Sequence, residues 1–556
     1  MLPGFAHSIS AGPALRIGLL VDGPKIFGQF SAVLRDLLAA SYCSVVAVLR
    51  PLNAGQPRYP HTYYRGNGQA PMLYWAYSHI DARRWHSLAL GYEPIDWQPF
   101  LRDTPIVDST DPHTLDGLRL DIILNLGCSQ AADVYCAAAK QGLWQFRLGS
   151  VACGQGMAPL LREPLQNCPI SSVAIDARTP QRGWTEIAHI DTPTAAGLSH
   201  LRNLAAPCAS AASALLTSLR KLHCSGHDAL LRCAPPSIPD KLATGSILPG
   251  NFAMVRGLIR ELWRTIKRRS MVGSQESQWC IALRPALPGL PWSHPAEGFR
   301  WVQSPANRIY TDPFLFEDGG RTWLFVEDFE FAKNRGVISV CEVLDNGSLT
   351  PMTIALDKPY HLSFPNVFRI GTQTYMIPET ASSGFVEIYR AVQFPYKWDR
   401  DYTLLDGAGR DTVFHADADG NCYFLTTLKD SQSAQGSLCI FQSEGVTGEW
   451  RLHPASPIST SARTARNGGA LLNAEGKLYR VSQDSVPRYG SRLHFHEIKT
   501  FTPTDYQEQL VATIEPDAQR KHIGTHTYSR SSRWEATDAL KLVSSFGGDW
   551  LRFPSS

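Results

Sequence analysis

Acidic and amide residues recur at matched places in the C-terminal half of the chain. Five pairs of short apolar strings can be laid under one another. They are DPFLF from Asp312 with TWLFVED ending at Asp328, PNVFRI containing Asn366 with TYMIPE ending at Glu379, DTVF from Asp411 with CYFLTT, RNGGALL from Arg466 with KLYRVSQD ending at Asp484, and THTY around His526 with ALKLVSS. In an antiparallel hairpin the first residue of one strand and the last of the next lie at the same end. That rule gathers Asp312, Glu327, Asp328, Asn366, Glu379, Asp411, Asn467, Gln483, Asp484 and His526, with Arg466 as a nearby cation. Carboxylates crowded into one funnel repel one another and lose hydration, which raises some pKa values and leaves others ionised, as acid and base work requires. One Asp or Asn at a strand start is an ordinary turn cap. Five aligned polar positions point instead to a sugar-binding or sugar-processing site. Trp323, Tyr375, Trp398 and Tyr528 could stack on sugar faces, and they suit plain sheet packing equally well.

The elements that would hold these residues follow from the spacing. Asp312, Asn366, Asp411, Asn467 and His526 lie 54, 45, 56 and 59 residues apart, which suits one four-stranded blade per repeat. Further β-rich strings follow the hairpins as outer strands, and WCIALR near Trp279 would complete the last blade. Residues 279–556 therefore predict a five-bladed β-propeller.

The first 225 residues read differently. Leu15–Val21 is an apolar strand followed by a turn and a helix at Phe30–Ala40; strands at Ser44–Leu49 and Asp121–Leu126 follow, with helices at Ala131–Ala139 and Ala209–Leu222. This strand, turn, helix grammar predicts a Rossmann-type α/β domain with parallel strands. Prolines 235, 236 and 239 then end the periodicity, inside a linker spanning 226–278. Within that linker Phe252–Arg269 forms a basic amphipathic helix. It suits either a connector packed on a neighbouring domain or a peripheral contact with an anionic membrane face.

Bulk properties narrow the classes. The 556 residues are 44% hydrophobic and 19% charged, ordinary globular usage. A net charge of +3 does not argue for nucleic acid. The 12 cysteines include no CxxC pair, there is no phosphate-cradling GxxxxGK[ST] and no HExxH, and no metal site is expected. The HxxxH spacings at His223/His227 and His522/His526 contain Gly226 and Gly524, which disfavour the helix that would align each pair. No run approaches the ~20 apolar residues of a membrane span and the N-terminus lacks a signal-peptide pattern, so a cytoplasmic protein is expected, with the amphipathic helix as a peripheral contact at the inner membrane face.

Two family resemblances bear on function. From about residue 280 onward, TDPFLFEDGGRTWLFVED, FPNVF, MIPET, RNGG and GTHTY look like the propeller at the N-terminus of glucosamine inositolphosphorylceramide transferases. That propeller is similar in turn to those of arabinanases and xylosidases, whose DP opening holds the catalytic base. The resemblance implies Asp312 as base, with Asp411 and Glu379 as pKa modulator and acid. In the plant transferases a separate glycosyltransferase domain performs the transfer, and this chain shows none. The first 225 residues resemble folate-dependent formyltransferases through RIGLLVDG, DIILNLG and GLWQFRLG. Active members carry Asn-x-His and a later Asp, and Gln145, Arg147 and Gln181 stand at those places here. Arginine has no accessible neutral form with which to relay protons, so the scaffold is degenerate unless Asp176, Glu186 or His189 substitutes.

The leading expectation is a transferase acting on a saccharide in bacterial-type surface-glycan assembly. Asp312, Glu379 and Asp411 would be catalytic, and Asn366, Arg466, Asn467, Asp484, His526, Glu327 and Asp328 would hold substrate. The donor stays open among sugar nucleotide, acyl-CoA and formyl-tetrahydrofolate. The alternatives are an N-formyltransferase on an amino sugar nucleotide, a carbohydrate-binding scaffold and an arabinanase- or xylosidase-like hydrolase.

Overall fold

The computed structural model describes residues 12–544 apart from 29, 52–70, 92, 128–132, 150–159, 196, 227–248, 273–274, 296 and 429–435. The chain divides into two units, Met1–Arg264 with Asp430–Ala434, and Thr265–Lys429 with Gln435–Ser556. The prolines at 235, 236 and 239, and His227, lie outside the described residues.

The first unit is built on a seven-stranded sheet. Five strands run parallel in the spatial order Ile106–Asp108, Cys43–Arg50, Leu15–Leu20, Ile122–Asn125, Leu143–Leu148. That is the order of a doubly wound α/β sheet, reversing beside the first strand. The central strands are almost wholly apolar because both faces are covered. Two antiparallel strands, Ile170–Arg178 and Trp184–Pro193, extend the far edge beyond the expected parallel strands. The closing helix starts earlier than its alanine-rich stretch suggests, at His200, and runs to Ser225. Ser199 caps it by accepting the Arg202 N–H, and Gly226 ends it at φ +76°. Ala211, Leu215, Leu219 and Leu222 carry its apolar stripe into the core beside Trp144, Ile175 and Ile190.

The second unit comprises five antiparallel sheets. Four follow chain order: Arg308–Asp318 through Thr353–Leu356, Ser363–Ile370 through Lys397–Asp406, Gly409–Ala416 through Arg451–Leu452, and Arg466–Asn467 through Tyr506–Ile514. The fifth joins both ends of the domain, since Gln275–Pro285 pairs antiparallel with Trp534–Ser544 along eleven residues. Each blade is bonded to the next around the ring. The Phe364 N–H donates to Asp312 Oδ2, the Phe414 N–H to Asn366 Oδ1, Asn467 Nδ2 to the Asp411 carbonyl, the Tyr528 N–H to the Gly468 carbonyl, and the Leu315 N–H to Ser529 Oγ. The RNGG string has a steric reason: a Cβ on Gly469 would stand 2.1 Å from the Tyr528 carbonyl oxygen.

Candidate functional site at the propeller axis

Three blades open on a bulge at the same place in their innermost strand. Register shifts fall between Thr311 and Phe314, Ser363 and Asn366, and Arg410 and Val413. The residues at these bulges, Asp312, Phe364 and Asp411, all have left-handed backbone, at φ +49°, +47° and +46°. Such strain in non-glycine residues persists only where surroundings enforce it, and bulges commonly re-aim a side chain at a working site. The same register makes Thr311, Ser363, Arg410 and Arg466 equivalent, opposite Glu327, Glu379, Thr427 and Gln483. Asn366 is therefore the counterpart of Phe314, two residues beyond the position of Asp312.

A cavity of about 300 Å³ opens among these strand ends. Asp312, Glu327, Glu379, Arg410, Arg466 and His526 are its ionisable lining, and Trp279, Phe329 and Tyr489 its aromatic wall. Trp279 stacks on His526 with ring centroids 4.0 Å apart and 16° between planes. The Arg466 guanidinium sits 4.9 Å from the centroid of Tyr489. Asp411 lies just behind this wall: its Oδ2 accepts from Arg466 Nε at 2.6 Å and from Gln483 Nε2 at 3.1 Å, and its own N–H donates to Glu379 Oε2 at 3.2 Å.

The environments of the acids differ. Burial, with the Asp411 charge adding to it, pushes Glu379 up to about 8, against the opposing pull of Arg466 and Arg410. Glu327 stands well above the usual carboxylate range through burial and the charges of Asp312 and Glu379. At Glu379 a neutral carboxylic acid is the consequence near pH 7. Asp312 is also raised by burial, but here the His526 charge and the Thr527 hydroxyl, 2.6 Å from Oδ1, favour the anion. His526 is raised although burial pulls it down, because Asp538 and Asp312 outweigh that pull. Its Nδ1 is bonded to Asp538 Oδ2, and Asp538 Oδ1 accepts the N–H groups of His526 and Thr527. Asp312, His526 and Asp538 offer metal-ligand-type atoms within 4.8 Å of one another. The hydrogen bonds occupy Asp538 and His526 Nδ1, so only Asp312 and His526 Nε2 remain turned towards each other. Opposite them, His361 accepts the Gly336 N–H on Nδ1, which puts its proton on Nε2, 3.4 Å from Glu327 Oε1.

Four of the residues gathered from the sequence turn away. Side chains alternate along a strand, so Glu327 faces the cavity while Asp328 is bonded to Arg308 and Ser339. Gln483 likewise reaches Asp411, while Asp484 pairs with Arg463 and His494. Asn366 and Asn467 are buried stitches between blades rather than cavity residues. The aromatics Trp323, Tyr375, Trp398 and Tyr528 pack within and between blades instead of lining the opening. Arg410, Tyr489, His361 and Asp538 were missed. Arg410 carried a signal, since it precedes Asp411 as Arg466 precedes Asn467.

In the first unit, Arg147 is buried and bonded to both Asp176 and Glu186, and His189 bridges Glu186 and Asp191. Those hydrogen bonds raise His189 to about 9. Gln145 neighbours Asp176 across the sheet, but Gln181 is exposed in the turn beyond Arg178, apart from both.

The fold and site define a five-bladed propeller with an acid-rich axial cavity. Residues 297–550 match the family model described as "Glucosamine inositolphosphorylceramide transferase 1, N-terminal", and the propeller is similar to that N-terminal region. The chain is 30% identical over 324 residues to glucosamine inositolphosphorylceramide transferase 1 of Oryza sativa subsp. japonica, covering 56% of this chain and 41% of that protein. It is 34% identical over 211 residues to the Arabidopsis thaliana protein of the same name, covering 37% and 27%. It thus spans less than half the length of these relatives. A crystal structure of a thermostable family-43 glycoside hydrolase aligns with a TM-score of 0.33 at 15% identity, over 43% of this chain and 90% of that one.

Proposed function

We propose that the protein is a transferase acting on a saccharide, with the propeller cavity as the saccharide site. The observation that carries this reading is the contrast between two acids in one opening: Glu379, at about 8, holds a proton at neutral pH, while Asp312, raised by burial as well, has the His526 charge and the Thr527 hydroxyl pulling towards its anion. Such a pair suits general acid and base roles. Asp312 takes the proton of an acceptor hydroxyl as its oxygen bonds the transferred group, and Glu379 protonates the donor atom whose bond to that group breaks. Asp411 positions Arg466 and keeps Glu379 protonated. The relatives' names point to a glycosylated inositol phosphoryl lipid, and Arg410 and Arg466 would suit the phosphate of such a headgroup. Mass spectrometry of the full chain incubated with sugar nucleotides, acyl-CoAs and formyl-tetrahydrofolate, each with glucosamine-bearing inositol phosphates, tests it. A mass gain on the acceptor that Asp312→Asn and Glu379→Gln abolish is the expected result, and no transfer from any donor removes the reading.

A second reading, a saccharide-binding module without chemistry of its own, is favoured by the match to an N-terminal region of longer proteins. It predicts saccharide binding by calorimetry with no turnover. For the first unit we infer a formyltransferase-type scaffold in which the Arg147 ion-pair network has replaced the proton-relaying pair.

A further inference from the structure

We propose that the helix Asn251–Val272 docks the protein on an anionic lipid bilayer. The helix has the reverse of the usual polarity for a helix packed on a domain. Its buried line is Met254 and Gly257, continued by the half-buried Glu261. Met254 is fully buried among Tyr74, Tyr77 and Leu165, and a Cβ on Gly257 would stand 2.3 Å from Leu165 Cδ2. Arg260 fastens the same side by donating to the Leu165 carbonyl at 2.8 Å. The large apolar side chains point the other way: Phe252 is 81% exposed, Trp263 68%, Leu262 60%, and Val255, Leu258, Ile259 and Ile266 are exposed as well.

At 3.6 residues per turn these seven residues form one continuous stripe, and exposed Arg256 lies on its flank, followed by Arg260, held to Leu165, and Arg264, 3.5 Å from Glu261. The sequence then adds Lys267, Arg268 and Arg269, against Glu261 as the only acid of the helix. Exposed Met72 and Trp75 open the neighbouring helix, whose Leu73 N–H donates to Asn251 Oδ1. A protein partner could cover an apolar stripe, but the one-signed charge beside it selects a surface that is apolar below and negative above. An anionic leaflet is that surface, with arginines at headgroup level and Trp263 at the boundary. No helix among the described residues is long and apolar enough to cross a membrane, so the contact is peripheral.

The test is flotation of the full chain with vesicles of phosphatidylcholine alone and with roughly one-third phosphatidylserine. Binding is expected only to the mixed vesicles and should weaken as salt rises. Arg256→Ala should lower the partition coefficient about fivefold, and Leu262→Asp with Trp263→Asp should abolish it, with circular dichroism unchanged because all three side chains are exposed. Equal partition into both vesicle types, salt-independent binding, or no binding by the unmodified chain overturns the proposal. So does a dimer in sedimentation that Trp263→Asp dissolves without affecting vesicle binding, which would assign the stripe to a second copy.

Discussion

His526 Nε2 faces Asp312 Oδ1 across 3.8 Å, while its Nδ1 is held by Asp538. The imidazole ring is thus fixed from behind and offered to the base from the front, with Trp279 stacked over its plane. Asp538→Asn removes the largest interaction keeping His526 charged. The His526 pKa, followed by NMR, should fall, and the Asp312 anion should lose its counter-charge. The substitution also removes the Asp538 charge that raises Asp312, but the His526 charge acts on Asp312 more strongly, so the acidic limb of turnover should shift to higher pH. An unmoved His526 titration would show that Asp538 does not set its charge.

Asp312→Asn tests the base itself. The amide oxygen can still accept the Phe364 N–H, so the bond to the next blade survives. Activity should drop by about 10²–10⁴-fold, the usual worth of a general base, with little change in melting temperature. Full activity in Asp312→Asn would remove it from the mechanism.

Glu379 gives a pH signature. Its folded pKa of about 8 lies above the 4.5 of a free glutamate, so between those values the native state holds a proton that the unfolded chain has released. Stability from this group is complete below pH 4.5 and is lost as pH rises towards 8, by an amount on the order of a few kcal/mol. Glu379→Gln should flatten that part of the profile and leave the propeller more stable than the unmodified protein above pH 8. Opening free energies from hydrogen exchange on the propeller strand Ser437–Ser443, compared for both proteins from pH 4.5 to 9, check it; parallel curves would contradict the assignment.

The hairpin strings were legible because two apolar strands joined by a Gly or Asn turn leave a period-two pattern, and their spacing revealed the blades. Closure of the ring by the segment around Trp279 was legible too, as a strand without a local partner. The bulges were not. One extra residue in a strand shifts what lies beyond it without altering composition, so Asn366 read as the counterpart of Asp312 when Phe364 holds that place. Alternation was legible and went unused: Glu327 and Asp328 cannot both face the axis. Asp538 and His361 gave no local signal, because their roles come from contacts with Thr527 and Gly336, distant in sequence or set by loop geometry.

Asn366→Ala separates stitching from binding. The amide oxygen satisfies the buried Phe414 N–H at 3.0 Å, and truncation leaves that donor unpaired at a cost of about 1–3 kcal/mol. Denaturant unfolding should report that loss while saccharide affinity by calorimetry stays within twofold of the unmodified chain, roughly the limit set by 0.4 kcal/mol. A large affinity loss at constant stability would return Asn366 to the binding surface.

Arg147→Met probes the first unit. The side chain is buried with Asp176 and Glu186 as its anions, and removing one partner of such a network leaves the others uncompensated, typically at about 3–5 kcal/mol. The chain has two units, so a single unfolding midpoint would blend them; hydrogen exchange read separately on the strands Leu143–Leu148 and Ser437–Ser443 distinguishes the two. Faster exchange is expected in the first and none in the second. Arg147→His should show the same instability without gaining formyl transfer from formyl-tetrahydrofolate, since Gln181 lies in an exposed turn away from the pair. Formyl transfer by that variant would mean that the lost imidazole alone had silenced the scaffold.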